Sequence, residues 1–353
     1  LSTFQLLAGL ALDVDGYDLK GLRADISSGF ERLSTVVHLR GGGTEGIGED
    51  VVYSADDQRA FVAAGAAHKL GGRWSLGELC EHIDGLDLFP VEPEHGDVSR
   101  LYRRWTFHSA ALDLALRQAG RPLHEVLGRP PRPLTFVVSL RLGEPATLEP
   151  LRSRLDLYPT LRFKLDATSS WTPELIAALA ATGAVDSVDF KALYRGTVVD
   201  QPPDPILYAR VVAAFPGAWL EDPDVVTEST AALLAGEHNR ITWDAPIHST
   251  ADIEALPFPP QMVNLKPSRI GGLARLCAAY DYCAEHGIGA YGGGQFELGP
   301  GRGQAQYLAS LFHPDTPNDL APVGYNESRP ASGLPASPLA PAPDSVGFRW
   351  TAP

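Results

Sequence analysis

Six ionisable residues stand directly after short apolar runs. Lys164 ends LRFK, Asp189 ends DSVD, Glu221 ends AWLE, Asp244 ends ITWD, Lys266 ends VNLK, and Glu297 follows GAYGGGQF. Successive members are 25, 32, 23, 22 and 31 residues apart. Those intervals are close to one βα unit, about 30 residues in a barrel of roughly 250. In such a barrel the strand C-termini converge on one mouth. Taken singly, each residue has a bland reading: Asp244 as a cap, Asp189 paired with Lys191, Glu221 as turn chemistry before Pro223, Lys266 as a surface lysine. The shared register is what points to chemistry.

Three carboxylates on neighbouring strands, Asp189, Glu221 and Asp244, suit a hard cation such as Mg²⁺, with Mn²⁺ as a substitute. Lys164 and Lys266 precede and follow that trio in the ring. They would approach the α-carbon of a metal-bound carboxylate from opposite sides. A metal stabilises an enediolate, and a lysine with a lowered pKa takes the α-proton. The chain holds only five lysines, at 20, 69, 164, 191 and 266, among 29 basic residues. Lysine can act as a base where arginine cannot.

The elements that would carry these residues fall into two textures. Residues 1–130 mix strand and helix signals. STVVHLRGGGTEGIGED reads as strand, glycine turn and strand, DDQRAFVAAGAAHKL as a helix, and RLYRRWTFHSAALDLALRQAG as a helix closed by Gly120. LSTFQLLAGLALDVDG reads as a first strand and not as a secretory signal. Over 131–325 the runs LTFVVSL, LRFKL, VDSVDF, GAWLE, RITW, QMVNL and GIGAY alternate with amphipathic stretches, the pattern of parallel βαβ units. A doubly wound sheet competes with a barrel, but it would bring a glycine-rich nucleotide loop that VVSLRLGEPA does not supply. Residues 326–353, rich in Pro, Ala and Ser, read as a strap whose terminal VGFRW docks on the body.

Composition narrows the partners. At 353 residues the chain fits one large α/β domain or two domains. A net charge of −14 disfavours nucleic acid. No apolar run approaches membrane-spanning length, so no membrane helix is expected. Three cysteines without metal-ligand spacing fit a reducing cytoplasm.

The motifs carry a resemblance to the enolase superfamily, in its muconate-lactonizing branch. RFK at 162–164 resembles the Lys-x-Lys of strand two, with Arg162 in its first position. DFKALY at 189–194 resembles Asp-Ala-Asn-x-x-Tyr of strand three, and EDP at 221–223 the Glu-Asp-Pro or Glu-Gln-Pro of strand four. WDAP at 243–246 resembles Asp-Glu-Ser of strand five, and NLKPSRIGG at 264–272 the Lys-x-x-x-x-Gly-Gly of strand six. GGGQFELGPGRGQAQYLASL is similar to the Gly-Gly-Met-x-Glu-x-Gly-x-Gly-Arg segment of o-succinylbenzoate synthases and N-succinylamino acid racemases. FHSAALDLAL at 107–116 resembles the helix joining cap to barrel. The match runs from about residue 35 to residue 315.

The resemblance implies a (β/α)₇β barrel with an N-terminal α+β capping domain, Mg²⁺, a small-molecule carboxylate substrate and a homo-oligomer. It implies Lys164 and Lys266 as the acid/base pair and Asp189, Glu221 and Asp244 as metal ligands. Substrate contacts are expected from Arg162, Lys191, Arg141, Glu297 and Tyr17. Arg141 ends the first barrel strand and suits a distal carboxylate. Tyr17 lies in DVDGYDLKGLRADISSG, where the family has a mobile specificity loop. Gly292, Gly293 and Gly294 suggest a close backbone approach at the mouth.

Three departures bear on the reaction. Lys191 stands where the family has Asn, and a cation there would weaken a metal site or screen a second acid. Ala245 replaces a Glu that commonly supports the strand-six lysine. The Asp-x-Asp of dipeptide epimerases is missing. The implied reaction is α-proton abstraction leading to racemisation, o-succinylbenzoate-synthase-like dehydration or cycloisomerisation. An acid-sugar dehydratase and a non-catalytic binding protein of the same fold are the alternatives. A glycosidase barrel fits two lysines facing a carboxylate trio poorly.

Overall fold

A computed structural model describes residues 1–25, 31–89, 91–197 and 199–351. The first segment holds its expected strand only in its second half, after a helix. Thr3–Ala8 form a helix, because Ser2 and Gln5 build a reciprocal capping box around its first turn. Strand β1 (Ala11–Val14) follows and pairs antiparallel with β5 (Gly72–Ser75). Between them lies an antiparallel meander of β2 (Gly16–Asp25), β3 (Glu31–Gly41) and β4 (Thr44–Asp50). The two-residue turn Gly42-Gly43 has positive φ at both positions, which a tight hairpin needs.

The helix Asp97–Gln118 lies flat on β4. A Cβ on Gly46 or Gly48 would come within 2.1 or 2.0 Å of that helix's backbone, so glycine sets the contact distance. Gly120, at φ +65°, turns the chain out just past the C-cap Ala119.

Each of the seven apolar runs yields one short parallel strand: β6 (Val138–Leu140), β7 (Phe163–Asp166), β8 (Val185–Asp189), β9 (Trp219–Glu221), β10 (Ile241–Trp243), β11 (Met262–Asn264) and β12 (Gly289–Tyr291). They lie side by side in sequence order, which a doubly wound sheet does not do. Asn318 and Asp319 close the ring. Asn318 bridges parallel to Phe136, ahead of β6, and Asp319 bridges parallel to Gly293, beyond β12. The fold is therefore a TIM-like (β/α)₇β barrel whose eighth strand is reduced to two residues, with an N-terminal α+β cap.

Arg32, fully buried, ties the cap to the barrel. It donates to the carbonyls of Val51 and Val52 in the cap and of Gln295 and Phe296 after β12. Glu49 of β4 reinforces that junction by accepting the backbone N–H groups of Leu298, Gly299 and Gly301. The C-terminal segment runs back over the body. Leu339 bridges Leu134, Phe348 and Trp350 are buried, and Asp113 of the long helix accepts from the Phe348 N–H and the Arg349 guanidinium. Among the described residues, no helix is long and apolar enough to cross a membrane.

Candidate active site

The C-terminal ends of β7 to β10, with Lys266 just beyond β11, hold a buried lattice of opposite charges. Lys164 of β7 is 2 % exposed. Its Nζ bonds the Glu221 carboxylate and lies 3.3 Å from Asp189 Oδ2 and 3.6 Å from Asp319 Oδ2. Burial opposes its charge, but those carboxylates outweigh burial and hold the ammonium well above the ordinary lysine range. Lys266 has a sparser setting. Its Nζ bonds Asp244 Oδ2 at 2.8 Å. Burial, with the cations of Arg269 and Lys164, brings its pKa down despite Asp244.

Among the described residues, the carboxylates whose oxygens lie within 4.8 Å of one another are Asp189, Glu221 and Asp222. The expected trio contained Asp244 in place of Asp222. Asp244 is drawn aside by Arg269 at 2.6 Å, Lys266 at 2.8 Å and the Tyr194 hydroxyl at 2.7 Å. Asp222 reaches the group because its backbone is left-handed, at φ +45°. Strict strand alternation would send the residue after Glu221 away from the mouth. The left-handed turn brings it back, where it accepts the N–H groups of Asp244 and Ala245 at 2.9 and 2.8 Å. Burial and the charges of Asp244 and Asp189 push Asp222 up to about 7. Burial opposes charge on Asp189 too, yet Lys191 and Lys164 hold it down at about 2. Glu221 accepts from the Tyr291 hydroxyl, and burial with its acidic neighbours raises it well above the usual carboxylate range.

The remaining expected residues divide. Lys191 joins the cluster: its Nζ bonds Asp189 and lies 3.5 Å from Asp166 Oδ1. It does so from a left-handed backbone, φ +54°, and not from an extended strand. Arg162 does not join. It precedes β7 and pairs with Asp186 near the start of β8, at the opposite end of the strands. Tyr17 is a core residue of the cap, packed edge-on against Phe107, with its hydroxyl on the His68 N–H. Residues 26–29 of the specificity-loop segment lie outside the described residues. Arg141 is exposed just past β6, with no polar partner among the described residues. Glu297 is buried but tied to the Gln295 N–H and to Arg302 Nε at 3.1 Å, where the loop after β12 meets the cap.

The expectation for the three glycines holds. A Cβ on Gly293 would sit 2.4 Å from Lys266 Cε, and one on Gly294 would sit 2.6 Å from the Arg302 guanidinium. Asn264, two residues before Lys266, is 1 % exposed, and neither side-chain atom has a partner among the described residues. This amide beside Lys266 has both a donor and an acceptor open to a further polar group.

Reading by spacing missed several members of the lattice. Asp166 was signalled by its position two residues from Lys164, on the same face of the strand. Arg269 was signalled by its place one helical turn after Lys266. Asp319 carried no signal, because the closing strand has no apolar run. The donor set fits a divalent cation: Asp189, Glu221 and Asp222 are fully buried hard oxygen donors. Four cations (Lys164, Lys191, Lys266 and Arg269) stand among six carboxylates, the others being Asp166, Asp244 and Asp319. Once Glu221 and Asp222 release their protons, one divalent ion would balance that excess.

Comparisons with known proteins agree with this geometry. An N-succinylamino acid racemase of Amycolatopsis is 43 % identical over 61 residues, a match spanning 17 % of this chain and 17 % of that protein. An N-succinylamino acid racemase of Thermus thermophilus is 25 % identical over 92 % of this chain and 89 % of that protein. The crystal structure of a dipeptide epimerase from Methylococcus capsulatus, complexed with Mg ion, superposes with a TM-score of 0.69 at 20 % identity, covering 97 % of this chain and 100 % of that one. In fold the chain is similar to members of the enolase superfamily, among them a mandelate racemase/muconate lactonizing protein. The chain belongs to the family described as domain of unknown function DUF8230, whose N-terminal domain matches residues 5–126 and whose C-terminal domain matches residues 130–327.

Proposed function

We propose that the protein abstracts the α-proton of a small carboxylate substrate, with Lys164 and Lys266 as the acid/base pair. The observation that carries this reading is the placement of two buried lysines on either side of one buried carboxylate group. A divalent ion, Mg²⁺ or Mn²⁺, held by Asp189, Glu221 and Asp222, would supply positive charge for the substrate carboxylate. Lys266, its proton loosened, takes the proton from one face and Lys164, which holds its proton, delivers one at the other, the roles reversing for the opposite enantiomer. Asp244 and Gly293 fix the Lys266 stem, while Glu221 fixes Lys164. The Asn264 amide is free to orient a polar group of the substrate. Two relatives are named N-succinylamino acid racemases and one an o-succinylbenzoate synthase, names that support racemisation of an N-acylated amino acid or dehydration ahead of cycloisomerisation. Arg141, exposed at the mouth, is the residue we assign to a distal carboxylate.

Residues 1–130 with the strap 326–353 form the capping unit in this reading, and 131–325 the catalytic barrel. We place the protein in a reducing cytoplasm as a homo-oligomer, in keeping with three buried, unbridged cysteines.

The test is a panel of N-succinyl, N-acetyl and unmodified amino acids incubated in D₂O with the enzyme and Mg²⁺, read by proton NMR. Loss of the α-proton signal that stops on chelation and returns with Mg²⁺ is expected. Racemisation predicts exchange from both enantiomers of one acylated substrate. Binding without exchange would favour the non-catalytic alternative, and elimination from sugar acids the dehydratase.

A further inference from the structure

Both oxygens of Asp189 are claimed by a single residue. The Lys191 backbone N–H donates to Oδ1 at 3.0 Å, and the Lys191 ammonium bonds Oδ2. The left-handed backbone at Lys191 makes this possible by folding the chain back two residues past Asp189. Non-glycine residues rarely adopt that conformation, and they concentrate where function holds them there. The same ammonium lies 3.5 Å from Asp166 Oδ1, a buried oxygen with no hydrogen-bond partner among the described residues. Asp166 is the direct neighbour of Asp189 across the β7–β8 pairing. A second acceptor, under-used, therefore lies within a small swing of a flexible four-carbon stem.

We propose that Lys191 is a tethered cation that competes with a divalent ion for Asp189, and that Asp166 receives the ammonium when an ion takes Asp189. The inference rests on the metal-site reading above. Its consequence is a site whose affinity is set by the chain's own cation. The carboxylates stay satisfied by internal partners, and loading requires Lys191 to change acceptor.

The experiment is a Mn²⁺ titration without substrate, followed by the electron paramagnetic resonance of free Mn²⁺, on the full chain. It compares the wild type with Lys191→Asn, Lys191→Arg, Asp166→Asn and the double variant Asp166→Asn/Lys191→Asn. Asn suits position 191 because its short polar side chain tolerates left-handed backbone. Lys191→Asn should tighten binding by about tenfold or more, and Lys191→Arg should leave it weak. Asp166→Asn should weaken binding by roughly tenfold in the wild type but by less than about threefold once Lys191 is gone, because the two residues act as one unit. Equal affinity in the wild type and Lys191→Asn overturns the competition. An equal Asp166→Asn penalty in both backgrounds overturns the acceptor role. If no variant binds Mn²⁺ while all melt cooperatively, the metal reading itself fails.

Discussion

The two lysines of the mouth share a residue type and little else. Lys164 sits among three carboxylates from β8, β9 and the closing segment, which hold its proton. Lys266 has one carboxylate partner, which it shares with Arg269, and its proton is loosened. The difference comes from register. Lys164 lies inside β7, level with its neighbours' acidic ends, whereas Lys266 lies beyond β11 as the N-cap of the one-turn helix that carries Arg269. One barrel thus offers the same amine in a proton-holding and a proton-releasing setting, by choosing how far past the strand each is placed.

The largest way to break that contrast is Gly293→Ala. The added Cβ would meet Lys266 Cε at 2.4 Å and displace the lysine without touching Lys164. We expect α-proton exchange to fall about 10²-fold, since a displacement of about 1 Å can cost that much. Melting temperature should change less than exchange, because the added Cβ meets the Lys266 and Asn264 side chains and not barrel backbone.

A pair of hydroxyl deletions sharpens the comparison. Tyr291 serves Glu221 on the Lys164 side, and Tyr194 serves Asp244 on the Lys266 side. A hydrogen bond to a charged group contributes about 1.5–3 kcal/mol. Tyr291→Phe should therefore weaken Mn²⁺ binding roughly tenfold, while Tyr194→Phe leaves it nearly unchanged, because Asp244 stands outside the three-carboxylate group. Equal losses would return Asp244 to the ligand set. Calorimetric titration of both variants distinguishes the outcomes.

What the sequence made legible follows the strength of its local signals. Seven apolar runs gave seven strands, because a strand buried on both faces must be apolar throughout. The strand-end register located Lys164, Asp189, Glu221, Asp244 and Lys266 at one mouth. It failed where backbone and side chain depart from regular alternation. Asp222 enters through left-handed φ, which its residue type does not announce, whereas the Asp189–Lys191 pairing read from spacing does form, from a left-handed Lys191 backbone. Arg162 follows Lys-x-Lys spacing but sits too early along β7 to reach the mouth. Tyr17 belongs to a strand of the cap core, and its aromatic ring is used for packing. The closing segment escaped notice because two residues held by a handful of bonds need no apolar run.

That segment supplies a prediction on stability and not on the site's chemistry. His313 is buried, with Nδ1 2.7 Å from the Asn318 side chain, and burial lowers its pKa from 6.5 to about 4. A depressed histidine pKa means the unfolded chain binds the proton more readily. Its stabilising contribution is complete above pH 6.5 and is lost as pH falls toward 4, amounting to up to about 3 kcal/mol. His313→Gln should flatten the acid side of the stability profile measured by urea unfolding between those limits.

The opposition of the two lysines is tested most directly by the hand of exchange. With a substrate from the panel, Lys164→Ala and Lys266→Ala are each incubated in D₂O with the separate enantiomers, and α-deuterium is followed by NMR. The account predicts that Lys164→Ala loses exchange from one enantiomer and Lys266→Ala from the other, each by about 10²–10⁴-fold. If both variants retain full exchange from both enantiomers, or both lose it from the same one alone, the two lysines do not serve opposite faces.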